Sequence, residues 1–135
     1  MKRIVRHCLI LLLAALVVIS LTLASCASYK SSYSAVLLVR SNTDSEASMS
    51  FMEFEGSIVF KLKCEDADSI SWTAELESGD VTVYFDDGRG RTELFKAGDG
   101  ASLRGESSDL EQGTVYIIVE TNGKCKEGSF TFLVD

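Results

Sequence analysis

From Ala35 to the C-terminus, apolar and polar positions alternate with a period of two. That is the signature of strands with one face buried and one face wet. Ile58, Phe60, Leu62 and Cys64 share one phase, with Val59, Lys61 and Lys63 opposite. Ile70, Trp72, Ala74 and Leu76 alternate with Ser71, Thr73, Glu75 and Glu77. Val81, Val83 and Phe85 follow, and then Thr92 to Phe95. The clearest strand is Gly113 to Glu120, with Val115, Ile117 and Val119 on one side and Tyr116 and Ile118 on the other. Phe130, Phe132 and Val134 close the chain. Ala35 to Val39 and Met49 to Phe54 read as further short strands, and Gly56 as a bulge or turn. Ala101 to Arg104 is the weakest candidate.

Glycine and aspartate punctuate these runs. Ser78-Gly79-Asp80, Asp86-Asp87-Gly88-Arg89-Gly90 and Asn122-Gly123 are turn sequences. The first predicts a hairpin between the strands at 70–76 and 81–85. About eight short strands with such turns, and no amphipathic helical window, predict an all-β fold. The expected architecture is a single antiparallel β-sandwich of jelly-roll type over residues 35–135.

The N-terminus has a different pattern. Lys2, Arg3 and Arg6 precede an apolar run from Cys8 to Leu23, interrupted only by Ser20 and Thr22. A basic head and an apolar core of about 16 residues describe an export signal; a bilayer span needs about 20. The run ends in Leu23-Ala24-Ser25-Cys26, which resembles the lipobox of bacterial lipoproteins. The resemblance implies a signal helix over residues 1–25, cleavage before Cys26 and a diacylglyceryl group on its sulfur. More than one acyl chain gives stable membrane attachment. Ala27 follows the box where the family's inner-membrane retention signal has aspartate. The expected location is therefore the extracytoplasmic face of the cell membrane, or the outer membrane of a two-membrane cell. Residues 26–34, rich in serine, read as the lipidated cysteine and a flexible tether.

Composition narrows the chemistry. The chain of 135 residues has 13 basic and 20 acidic residues, a net charge of -7. Without residues 1–25 it keeps 110 residues, 10 basic and 20 acidic, hence a side-chain charge of -10. No nucleic-acid partner is expected of so acidic a chain. The same charge predicts weak contact with anionic lipid. His7 is the only histidine and leaves with the signal. Triads built on an imidazole base and histidine-ligated zinc sites are thereby excluded. No catalytic residue, metal ligand or cofactor is assigned.

Cys64 and Cys125 remain after Cys8 is removed and Cys26 acylated. An even pair in an exported domain predicts a disulfide. Closing a loop of about 60 residues would contribute about 4 kcal/mol in the chain-entropy model. Two buried free thiols are the alternative.

Three surface features are candidate sites. Glu65-Asp66-Ala67-Asp68 and Asp86-Asp87 could offer oxygens to calcium, but neither has the twelve-residue EF-hand pattern; both read as solvated turns. Glu75 and Glu77 share one face of a strand without a predicted cleft. Tyr84, Tyr116 and Ile118 fall opposite the core phase and form the expected binding face, a platform for a glycan or an envelope protein. Trp72, in phase with Ile70 and Leu76, is expected in the core.

Gly113 to Phe132, GTVYIIVETNGKCKEGSFTF, resembles the closing hairpin of extracellular jelly-roll modules. The segments SYKSSYSA, ASMSF and FKLK are similar to those of small exported bacterial lipoproteins. That resemblance implies location and fold but no chemistry. The sequence thus describes a membrane-anchored, non-catalytic module that binds a protein or glycan of the envelope, with an accessory envelope role and no small ligand as the alternative.

Overall fold

A bent strand organises the domain. The structure, a computed structural model, describes Val5 and residues 29–135. The signal segment, Val5 excepted, and Cys26 lie outside the described residues. Nine strands follow in order: β1 (Ser32–Val36), β2 (Val39–Asn42), β3 (Glu46–Cys64), β4 (Ile70–Ser78), β5 (Val81–Asp86), β6 (Arg91–Ala97), β7 (Ala101–Ser107), β8 (Gly113–Thr121) and β9 (Cys125–Val134).

β3 serves two sheets. Its first arm, 46–54, pairs with β9 on one side and with β2 on the other, and β1 pairs across the bend at 53–57. Its second arm, 57–64, pairs with β8. Between the arms stands Gly56, with φ +124. A Cβ there would lie 2.8 Å from the Tyr33 Cα and closer still to the Ser32 carbonyl. Only glycine accepts both that dihedral and that approach. The arms close back on one another, since the Lys63 N–H donates to the Asp44 carbonyl at 2.7 Å.

Sheet one therefore runs from the first arm of β3 through β9 and β4 to β7, and sheet two from the second arm through β8 and β5 to β6. All pairings are antiparallel. After β3, successive strands cross between the sheets except at the β5–β6 hairpin. This is the jelly-roll order, with one continuous strand doing duty for two.

The alternation places the core as expected. Ile58, Phe60, Leu62 and Cys64 of β3 are fully buried, as are Val115, Ile117 and Val119 of β8. They meet Phe130 and Phe132 of β9 across the sandwich, Phe60 and Phe132 with centroids 6.3 Å apart. Each such ring removed from water stabilises the fold by about 2–3 kcal/mol. Trp72 is half-buried and stacks on Phe95 of β6 at 4.1 Å. It closes the seam where β6 and β7 approach from opposite sheets.

Two pairing expectations are corrected. β4 and β5 do not form a hairpin: β4 lies between β9 and β7, and β5 between β8 and β6. Likewise β8 and β9 flank β3 on opposite sides and do not pair. Ser78-Gly79-Asp80 and Asn122-Gly123 reverse the chain, but from one sheet to the other.

The disulfide is also absent. Cys64 and Cys125 are free, buried thiols. Cys125 stands beside Phe54 at the bend of β3, and Cys64 beside Gly113 at the far end of the second arm. At about 3.3 Å per residue, the arm separates them by roughly 20 Å, while a bridge needs Cα atoms within about 7 Å. Burial pushes both thiols above their ordinary titration range.

Finally, the folded part begins before Ala35. β1 opens at Ser32, and Tyr29 and Ser31 already bond to the domain. The last residues assigned to a tether are thus part of the sandwich.

Candidate functional site

Tyr84, Tyr116 and Ile118 do share the outer face of sheet two, where Tyr84 and Ile118 are partners across β5 and β8. The chain itself covers part of that face, leaving Tyr84 and Tyr116 half-buried. Ile118 is 2% exposed. Tyr29 lies on Tyr116 with ring centroids 5.4 Å apart, and its hydroxyl donates to Asp86 Oδ2 at 2.7 Å. The Arg91 guanidinium sits 3.7 Å above the Tyr84 ring and makes two hydrogen bonds to Glu120, at 2.9 and 3.0 Å. Of the expected platform, Ile118 is buried and Tyr116 takes the docked Tyr29, while Tyr84 and Tyr116 stay half-exposed. Tyr29 was the missing term, because a serine-rich context disguised it as linker.

In the turn after β5, Asp86 and Asp87 are buried rather than solvated, while Gly88 to Gly90 are exposed. Asp86 accepts from the Tyr29 hydroxyl and from the Gly88 and Gly90 N–H groups. Asp87 accepts from Arg89 and from the Glu111 N–H at 2.9 Å. The Arg89 hydrogen bond, joined by backbone donors, outweighs desolvation and holds the Asp87 carboxyl at about 2. The Tyr29 hydrogen bond does most to lower Asp86 and to raise Tyr29. These carboxylates are consumed in organising the turn. The other acidic loop is held by Gln112, which accepts from the Asp66 N–H and donates to the Ala67 carbonyl. Among the described residues, no group of three or more His, Cys, Asp or Glu could hold a metal ion.

The open surface is on the other side. The outer face of β9, β4 and β7 carries a shallow depression of about 560 Å³ lined by Ser71, Thr73, Arg104, Glu106, Thr131 and Leu133. A second of about 340 Å³ continues it past Glu75, Ser102 and Ser129. Strand register sets the rows: Thr131 beside Thr73 beside Arg104, Ser129 beside Glu75 beside Ser102, and Leu133 beside Ser71 beside Glu106.

Gly105 makes the floor possible. Its missing side chain leaves room for the Trp72 indole, whose Cε2 would be 2.9 Å from a Cβ there. Hydroxyls donate and accept, Arg104 offers only donors, and Glu75 and Glu106 offer acceptors. Such a surface can hydrogen-bond a polyhydroxylated ligand lying across the strands. Glu77 stands apart from it, with its carboxyl raised by Glu127. The sequence signal was the shared phase of Ser71 and Thr73, Ser129 and Thr131, and Ser102 and Arg104. Small hydroxyl residues opposite a core phase are so common that the signal is silent until register aligns them.

No family model and no curated protein matches the chain. Solved structures resemble it at low identity. PliG of Aeromonas hydrophila, a periplasmic inhibitor of g-type lysozyme, is 14% identical with a TM-score of 0.48, over 68% of this chain and 88% of its own. TmCBM61, solved in complex with β-1,4-galactotriose, is 14% identical with a TM-score of 0.43, over 84% of this chain and 77% of its own. The pre-peptidase C-terminal domain of a Bacillus anthracis collagenase is 13% identical with a TM-score of 0.44, over 70% of this chain and 91% of its own.

Proposed function

We propose that this protein is a lipid-anchored, extracytoplasmic, non-catalytic binding module that takes a glycan of the cell envelope across the outer face of β9, β4 and β7. The row Thr131, Thr73 and Arg104 carries the reading: it sets hydroxyls and a guanidinium side by side along an open depression. Sugar hydroxyls need paired donors and acceptors of this kind, fixed on a rigid sheet. The lipobox-like Leu23-Ala24-Ser25-Cys26 supports the anchor.

Binding to purified envelope polysaccharides, measured calorimetrically, tests the site. Arg104→Ala and Thr73→Val should each weaken it by about tenfold, roughly 1.4 kcal/mol. Absence of binding to every polysaccharide, with the fold intact, would overturn the glycan reading. For the anchor, Cys26→Ala should release the protein from membranes; a variant that stays acylated and membrane-bound refutes it.

A further inference from the structure

We propose that the outer face of sheet two lies against an anionic lipid surface, turning the β9, β4 and β7 face outward. The inference rests on the anchor proposed above. Two observations carry it: where the chain joins the domain, and how its charge is divided.

Tyr29 is docked on Tyr116, and Lys61 is the register neighbour of Tyr116 on β3. Cys26 stands three residues before Tyr29, so at most about 11 Å of chain separates an acylated sulfur's Cα from this dock. The anchor therefore enters the bilayer beside sheet two.

The charge is segregated in the same direction. Residues 26–135 have ten basic and twenty acidic side chains. Six of the ten basic ones belong to the outer face of sheet two, its β3 edge and the docked segment: Lys30, Arg40, Lys61, Lys63, Arg91 and Lys96. Five acidic ones accompany them: Asp44, Asp80, Asp86, Glu93 and Glu120. Asp86 is buried, Asp80 lines one depression with Lys96, and the other three pair with Lys63, Lys96 and Arg91. Lys30, Arg40 and Lys61 have no ion pair among the described residues, and residues 1–28 contain no carboxylate side chain. The rest of the domain has four basic and fifteen acidic residues.

A negative membrane surface attracts the first region and repels the second. The whole-chain charge, which predicted weak contact with anionic lipid, conceals this division. The anchor supplies proximity, so a modest attraction is enough to orient the domain.

The test uses the full acylated protein purified from membranes and placed in phosphatidylglycerol or phosphatidylcholine vesicles. A fluorophore on Thr114→Cys reports sheet two, and one on Ser129→Cys reports sheet one. Quenching by brominated lipid in phosphatidylglycerol should be at least about twofold greater at position 114. The difference should vanish in about 0.5 M salt, and in the variant Lys30→Glu/Lys61→Glu/Lys63→Glu with an unchanged strand spectrum. Equal quenching at both positions, or a difference indifferent to charge reversal, overturns the orientation while leaving the anchor standing. A purified chain whose mass lacks acyl groups sinks the anchor first, and the orientation with it.

Discussion

The carboxamide of Asn42 holds the backbone of Lys61 at two points, donating from Nδ2 to the Lys61 carbonyl at 2.8 Å and accepting the Lys61 N–H at 3.0 Å. A side chain here makes the bonds that a neighbouring strand would make. It is one of a series along the open edge of the second β3 arm. Ser31 accepts the Val59 N–H, Arg40 donates to the Val59 carbonyl, and the Asp44 carbonyl accepts the Lys63 N–H. An edge capped in this way offers no template for another strand.

Asn42→Ala should therefore do more than lower stability. Loss of two exposed hydrogen bonds costs about 1 kcal/mol, read from the urea midpoint. The freed edge should also increase self-association, measured by light scattering at rising protein concentration. A variant that is destabilised but fully monomeric would show that the cap serves stability alone.

Acid should act through Asp87. Its carboxyl is held at about 2 in the folded chain, below the ordinary aspartate value of 3.8. A depressed carboxyl contributes stability that is complete above the unfolded value and is lost as pH falls from about 4 toward 2. The difference corresponds to about 2 kcal/mol. Urea unfolding at pH 7, 4 and 2.5 should show the loss, and Asp87→Asn should flatten it.

Gly105→Ala should push the indole of Trp72 off Phe95, because the added methyl meets the ring within contact distance. Overpacking of this kind costs about 1–3 kcal/mol. With a single tryptophan in the chain, the fluorescence maximum reports the displacement directly and should move to longer wavelength.

The cysteines give a chemical check on the fold. Cys64 and Cys125 should be silent to a thiol reagent in the native domain and react together after unfolding without reductant. A mass two protons below the reduced value would contradict the separation of the two thiols along β3.

The strands were legible because burial on one face writes a period of two into the sequence, and the core of β3 and β8 follows that phase residue by residue. The pairing was not. Gly79 and Gly123 announce reversals, but a reversal within one sheet and a crossing between two use the same residues. Gly56 read as an interruption, whereas it bends an unbroken strand whose arms belong to different sheets. The cysteine pair misled for the same reason: both lie in the core phase, at opposite ends. Phase identifies a face and says nothing of position along it. Asp86 and Asp87 looked like surface residues because their partners, Tyr29, Arg89 and the Glu111 amide, are gathered from three separate stretches of chain.

Because β3 is common to both layers, they are hinged along one side like the leaves of a book along its spine. At the opposite margin Phe95 stacks on Trp72 and reaches Phe130 and Phe132. Breathing of the sandwich must start at that margin, so β6 and β7 should exchange their amide hydrogens before β4, β5, β8 and β9, while the shared strand exchanges last.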